Sequence, residues 1–335
     1  MKIITVEEHF TDKRIMDANN SFNKNQPPMS PEQTEMMNIL SSRAFPGEEL
    51  LDIEKNRIPF MDANKIDMQV LSYTSPVSDL VPSEDAVIIC KQANDILAEK
   101  ISEHPTRFAG FATLPMANPK VAAQELERCI RDYHFCGALL AGRYQGHFYN
   151  EEEFFPIFAK AAELDVPIYF HPAFIPLEIQ EMYYMSDAYS TLVGSELASA
   201  GYGWHAEVGI QVVRLILSGI FDKLPNLKFI SGHWGETIPA FLERMDSIMN
   251  KEITGLEKNV SEYYKKHVYL TPSGILSNDQ LEYLVKVMGA EHILYAVDYP
   301  YVKPDHIYNF LVHSNLTEEQ KELIAHGNAE RLLKL

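Results

Sequence analysis

The chain has 335 residues, 46% of them hydrophobic and 23% charged, with a formal net charge of −18. This is the composition of an ordinary soluble globular protein. The charge argues against nucleic acid as a partner, because phosphate binding needs a basic face. It leaves room for a small anionic substrate, since a local metal ion inverts the field around it. No apolar run approaches the length that crosses a bilayer, so no membrane partner is expected. Cys90, Cys129 and Cys136 form no C-x-x-C pair and are read as reduced thiols. Lys2-Ile3-Ile4-Thr5-Val6 is strand-like and lacks the charged and apolar regions of a signal peptide, so a cytoplasmic location is expected.

In chain order, Ile3–Val6 is the first strand, ending in Glu7-Glu8-His9. Residues 11–50 then break the rhythm with Asn, Pro and Ser turn signals around one short helix, Pro31–Leu40. A long irregular segment after an active-site strand is expected to cover the site as a lid. A helix over Ile53–Asn64 precedes a strand at Asp67–Leu71, which ends at Ser72-Tyr73-Thr74-Ser75-Pro76. Ser83 is read as the cap of a helix to Ser102, and Phe108–Thr113 as the third strand. Asn118-Pro119 opens a helix to Tyr133, and Gly137–Ala141 is the fourth strand. A helix from Asn150 to Leu164 carries acidic residues in its first turn, where the helix dipole favours them. Val166–Phe170 is the fifth strand.

Residues 173–203 form a second long connection, rich in Met, Tyr and Phe. It suits either a helical excursion on the rim or an apolar wall for a flat substrate. A long amphipathic helix, His205–Phe221, follows. Leu227–Gly232, Val268–Thr271 and Ile293–Val297 complete the strands, with helices at Thr237–Asn250, Asn278–Met288 and Thr317–Leu333. The last opens on a capping box, Thr317 with Gln320. Repeated β-then-α alternation predicts a parallel α/β sheet. Its eight strand candidates, several with reactive residues at their C-terminal ends, favour a (β/α)₈ barrel, or TIM barrel. One domain over residues 1–335 is expected, with insertions after strands one and five. No Gly-x-Gly-x-x-Gly follows the first strand, which weakens a dinucleotide reading.

The reactive residues gather at those ends. Side chains alternate along a strand, so Glu7 and His9 point one way and Glu8 the other. They stand about 7 Å apart along the strand, close enough to hold one ion. His171 ends the fifth strand, His233 the sixth and Asp298 the eighth. Each alone is ordinary. Together, three imidazoles and two carboxylates at the active end of one barrel suit Zn²⁺, Mn²⁺ or Fe²⁺.

Several stretches resemble the amidohydrolase superfamily, in its branch of metal-dependent non-oxidative decarboxylases, which includes those for γ-resorcylate, 5-carboxyvanillate and 2-amino-3-carboxymuconate-6-semialdehyde. They are Glu7-Glu8-His9-Phe10, residues 57–76, Pro105–Ala112, Leu164–Pro172, Arg214–Gly219 and Pro225–Glu236. Arg244-Met245-Asp246, Ser273-Gly274, Asp298-Tyr299-Pro300 and Gly327-Asn328-Ala329 continue the series. The chain departs from the usual family pattern at Trp234, Pro272, Ala296-Val297 and the long segment after the first strand.

The resemblance implies one divalent metal ion, Zn²⁺ or Mn²⁺, held by Glu7, His9, His171 and Asp298. It implies that His233 and Glu236 serve the proton transfer beside it, and that Arg244 supports the substrate or the catalytic network. The implied reaction is decarboxylation of a hydroxylated aromatic acid of the ortho-hydroxybenzoate type, with Asp298 protonating the ring carbon. Phe10, Tyr299 and the aromatics of residues 173–203 are expected to clamp the ring. The rival is hydrolysis of a lactone or similar ester by the same centre. A homodimer or homotetramer is the expected assembly.

Overall fold

The apolar runs become parallel strands because each is flanked by helices that cover its outer face, so both faces are buried. The computed structural model describes residues 1–22, 30–43, 47–73 and 81–335. Thr74-Ser75-Pro76 and parts of the 11–50 insertion, at 23–29 and 44–46, lie outside the described residues. Strands β1 (Ile4–Phe10), β2 (Met68–Tyr73) and β3 (Phe108–Gly110) pair side by side in that order. Strands β4 (Ala138–Ala141), β5 (Ile168–His171), β6 (Phe229–Ser231) and β7 (Val268–Leu270) form a second parallel run.

Two seams join the runs. At one, the Ala112 amide donates to Gly137 O (2.9 Å) and the Leu139 amide to Ala112 O (3.1 Å). At the other, residues 293–297 bridge β7 and β1, with Leu294 N–H to Leu270 O at 2.8 Å and Val6 N–H to Tyr295 O at 2.9 Å. The eighth strand expected from the sequence is therefore present as single bridges. Its ladder is interrupted because the Glu8 carboxylate accepts the Val297 and Tyr299 amides, at 3.0 and 3.1 Å. The eight segments close a parallel α/β barrel.

Alternation along the strands sorts the core into two layers. Val70, Ala109, Phe111, Leu139, Tyr169, Ile230, Tyr269 and Leu294 fill the inside. Phe108, Ile168, Phe170, Phe229, Val268 and Tyr295 pack outward against the helices. Strand β1 breaks the rule in a useful way. Ile4 and Val6 belong to the inner layer, so strict alternation would send Glu8 inward. The register between β1 and β2 is irregular between Thr5 and Glu8. An irregularity of this kind changes which residues face inward, and Glu7 and His9 enter the site.

The 11–50 insertion carries helices at Lys13–Ser21, Pro31–Arg43 and Glu48–Leu51, and the 173–203 insertion carries Leu177–Tyr184 and Thr191–Ala198. Helix Pro31–Arg43 packs on Thr191–Ala198, and Thr191 Oγ1 donates to Glu35 Oε2 at 3.5 Å. The two excursions meet over the C-terminal mouth of the barrel.

Three local readings need correction. The helix expected to begin after a Ser83 cap has Pro82 at its cap position and Ser83 as its first residue. The expected 205–221 helix runs Gly203–Leu217 and restarts at Ile220, because Gly219 takes a left-handed φ of 72°. The C-terminal helix keeps the Thr317/Gln320 capping box but widens to a π turn over Leu323–Gly327. No described helix is long and apolar enough to cross a membrane.

Candidate metal centre and active site

The ends of β1, β5 and the 293–297 segment bring Glu7, His9, His171 and Asp298 together. Each offers one ligand atom, and these atoms all lie within 4.8 Å of one another. His9 Nε2 stands 3.1 Å from Asp298 Oδ1, and His171 Nε2 stands 3.3 Å from Glu7 Oε1. These approaches are not settled hydrogen bonds: Glu7 Oε1, His9 Nε2 and Asp298 Oδ1 are buried without a hydrogen-bond partner. Buried polar atoms are nearly always paired, so a converging set of orphans points to an ion between them.

The outer nitrogens of both imidazoles are occupied. His171 Nδ1 donates to Pro172 O at 2.7 Å, and His9 Nδ1 lies 3.1 Å from Ser72 Oγ. Such contacts leave Nε2 of each ring free to ligate. The mixed nitrogen and carboxylate donor set fits one divalent ion such as Mn²⁺ or Zn²⁺.

Glu7 is held from behind. Tyr169 Oη and Ser273 Oγ donate to its Oε2, and Thr271 Oγ1 donates to the same atom at 3.2 Å. Burial penalises its charge, but His233, His171 and His9 outweigh that and hold it well below the usual carboxylate range. Asp298 behaves oppositely. Burial and the nearby Glu7 charge push its carboxyl up to about 7, against the pull of His233, His171 and His205. Two carboxylates in one buried site, pushed apart in proton affinity, are what an acid/base assignment looks for.

β6 delivers the second group. His233 Nδ1 donates to Glu236 Oε1 at 2.9 Å, and His205 Nδ1 lies 2.8 Å from Glu236 Oε2. The His205 and His233 rings are 4.3 Å apart between centroids. Burial disfavours charge on His233, yet Glu236 and Glu7 overcome it and raise the imidazole to about 10.

The backbone here is unusual. His233, Trp234, Gly235, Glu236 and Thr237 have φ of 45, 61, 76, 53 and 67°. Each non-glycine residue costs about 1–2 kcal/mol in that region. The surroundings enforce it: Trp234 N–H donates to Thr271 O and Gly235 N–H to Gly232 O, both at 2.7 Å. The Trp234 indole donates to Ile275 O at 2.7 Å, and the His233 amide to Ser273 Oγ at 3.0 Å.

A cavity of about 720 Å³ opens above this cluster. His171, His233 and Asp298 stand in its wall with Tyr73, Tyr144, Tyr149, Phe174, Trp204 and Tyr301. Leu40 comes from the first insertion, and Glu196, Ser199 and Ala200 from the second. Arg143 is its one Lys or Arg among the described residues, and it pairs with Glu207 at 2.9 Å.

Three expected site residues lie elsewhere. Phe10 is buried against Tyr73, with 5.7 Å between ring centroids, because it shares the face of Glu8 rather than that of His9. Tyr299 is packed between Phe60 (4.3 Å) and the Arg57 guanidinium (4.7 Å), outside the cavity. Arg244 is exposed on helix Leu242–Ile248, whose buried residue is Leu242, and it does not line the cavity. Tyr301, Trp204 and Phe174 line the cavity instead. Sequence reasoning missed His205, Tyr169, Thr271 and Ser273. Tyr169 was readable, being two residues from His171 and so on the same face. Nothing local marks His205.

The amidohydrolase family profile matches residues 11–335. γ-Resorcylate decarboxylase of Polaromonas sp. (strain JS666) is 33% identical over 99% of this chain and 98% of its own. A solved chain from Staphylococcus aureus, described as an amidohydrolase, is 42% identical with full coverage of both chains and a TM-score of 0.85. The dihydroxybenzoic acid decarboxylase of Polaromonas sp. JS666, solved with manganese and the inhibitor 2-nitroresorcinol, is 30% identical. It covers 100% of this chain and 97% of its own, with a TM-score of 0.82.

Proposed function

Since the chain belongs to the amidohydrolase family and is a metal-dependent carboxy-lyase, we propose that it removes CO₂ from an ortho-hydroxybenzoate by protonating the ring carbon from Asp298. One observation carries this reading: the orphaned atoms of Glu7, His9 and Asp298 converge at the floor of an aromatic-walled cavity. A divalent ion, which Glu7, His9, His171 and Asp298 would hold, would supply Lewis-acid chemistry at this end of the cavity.

The chain's own groups do the rest. Tyr73, Trp204, Phe174 and Tyr301 hold the flat ring and displace water. Asp298, whose proton affinity burial and the Glu7 charge raise, is placed to deliver a proton. The proton goes to the carbon bearing the carboxylate, which becomes tetrahedral. The bond to CO₂ then breaks, and its electron pair restores the aromatic ring. His233, charged and held by Glu236, stabilises the negative charge that develops in the cavity.

Leu40 in the cavity wall and the contact between Thr191 and Glu35 support a lid role for the 11–50 segment. We also read the protein as a cytoplasmic homodimer or homotetramer. Its three free buried thiols agree with a reducing compartment. Met182 and Tyr183, 73% and 68% exposed, agree with a surface that a second copy covers. The deciding experiment supplies Mn²⁺ or Zn²⁺ and measures CO₂ release across a panel of hydroxybenzoates. Release from an ortho-hydroxy acid is expected. No CO₂ from any of them, with turnover of a lactone, overturns the assignment.

A further inference from the structure

The cavity beside the metal centre is far larger than one aromatic ring requires. A space of about 150 Å³ takes up benzene, whereas this cavity measures about 720 Å³. Its wall divides into two sectors. His171, His233 and Asp298 mark the reactive one, at the ends of β5, β6 and the 293–297 segment. The other lies beyond the ends of β2, β3 and β4, where Ala86, Leu114, Met116, Ala117 and Leu140 line the space together with Leu40 of the first insertion. In a closed ring of eight, the third and fourth strands stand across from the seventh and eighth. The second sector therefore faces Asp298 over the mouth of the barrel.

Apart from the Thr113 and tyrosine hydroxyls, the second sector offers carbon and room. The Thr113 backbone is already engaged: its amide donates to Asn94 Oδ1 at 2.9 Å and its carbonyl accepts from Asn94 Nδ2 at 3.0 Å. Ala86 and Ala117 are the smallest side chains of the sector, and a larger residue at either would fill space. Water against such a wall finds few of the roughly two to four polar partners that hold it in place. A hydrocarbon group that displaces this water gains the hydrophobic free energy. A charged group gains less. Arg143 is the one Lys or Arg of the wall among the described residues, and Glu207, 2.9 Å away, already balances its charge.

We propose that this sector is a subsite for an uncharged hydrocarbon substituent, and that the preferred substrate is an ortho-hydroxybenzoate with an alkyl chain on ring carbon 4 or 5. With the carboxylate on carbon 1 and the hydroxyl on carbon 2, carbons 4 and 5 form the opposite edge of the ring. A chain there points away from Asp298 and toward Leu114, Met116 and Ala117. The bond changes stay the same: the proton goes to carbon 1, CO₂ leaves, and the product is a 3- or 4-alkylphenol. The choice of ring rests on the proposed decarboxylation. The apolar subsite is tested by binding alone.

Two series on Mn²⁺-loaded protein decide it. One is 2-hydroxybenzoate with hydrogen, methyl, ethyl, propyl or butyl at carbon 4 or 5, and the other is the matching phenols as product ligands. At one of the two positions kcat/KM should rise about four-fold per carbon, the worth of a buried methylene. The Kd of the phenols, read by calorimetry, should tighten in step. Ala117→Leu, which fills the space, should lower the butyl-over-unsubstituted ratio about ten-fold in both series. A 2-hydroxybenzoate with a second carboxylate at carbon 5 should be turned over less well than the ethyl compound. Values that stay flat or fall with chain length at both positions overturn the proposal, as does a preference for the second carboxylate. So does a ratio that a folded Ala117→Leu leaves unmoved, and if that variant does not fold, the parent series decide alone. An absence of CO₂ from every 2-hydroxybenzoate would sink the decarboxylase reading and leave the phenol series to decide the subsite.

Discussion

Asp298 holds two duties in one side chain, a place among the ligand atoms and a proton affinity raised by burial and by Glu7. Asp298→Asn keeps an oxygen for the metal and removes the transferable proton. It should lower kcat about 10²- to 10⁴-fold while metal content, measured by elemental analysis, stays near the parent value. Parental activity with metal retained would show that another group carries the proton. Tyr169→Phe addresses the support rather than the ligand. It removes one of the donors to Glu7 Oε2 and leaves Thr271 and Ser273. Metal affinity, titrated against a competing chelator, should weaken about ten-fold. At this scale the sequence was legible wherever a reactive residue followed an apolar run, as Glu7, His9, His171, His233 and Asp298 do. It was illegible for His205, which enters the site from the start of a helix. It misled for Phe10 and Tyr299, where the residue type suggested a clamp and the strand face decided otherwise.

At the scale of elements, the turn after β6 is the part with least freedom. Gly235 has φ of 76°, and a Cβ there would meet Tyr264 Oη at 2.6 Å and Leu270 Cδ2 at 2.8 Å. Gly235→Ala combines left-handed strain with overpacking and should cost about 2–4 kcal/mol, read as a lower denaturation midpoint. An unchanged midpoint would mean that the turn relaxes and that its geometry is not enforced. The insertion helices act differently. Leu40 touches the cavity but is remote from the ligand atoms, so Leu40→Ala should raise KM about three- to ten-fold with little change in kcat. A fall in kcat at constant KM would argue that helix Pro31–Arg43 shapes the chemistry rather than the wall.

For the whole molecule, folding and metal binding are linked. Glu7, His9, His171 and Asp298 come from distant parts of the chain, so the unfolded state cannot hold the ion as well. Metal at a hundred times its Kd should add about 2.7 kcal/mol of stability. Chelation should therefore lower Tm, and Mn²⁺ should restore it in a concentration-dependent way. A second term comes from His267, far from the metal centre. It is buried against Phe221 with ring centroids 4.0 Å apart, and its Nδ1 donates to Leu227 O at 2.9 Å. Burial, opposed by that carbonyl and aided by Lys266, Lys228 and Lys258, lowers its imidazole to about 4. The unfolded chain takes up this proton as pH falls through about 6.5, and the folded chain resists until about 4. Stability is thus lost across that window on acidification and not above it. His267→Gln should flatten the fall of Tm between pH 6.5 and 4, and an equally steep fall would assign the acid sensitivity to other groups.

What the sequence determined by itself was periodic and local. Apolar runs of strand length alternating with amphipathic helices require a parallel α/β architecture, because each run must be covered on both faces. A polar residue set at the end of such a run lands at the barrel's C-terminal mouth. The ring's closure was decided only in three dimensions, since the eighth segment is held by isolated bridges and by the Glu8 carboxylate. So was the parity of β1, where one irregular register turns Glu7 and His9 inward. The same holds for the His205–Glu236–His233 cluster. Its members are hydrogen-bonded or ion-paired through space across a rim helix and a strand end, and no periodicity records a contact of that kind.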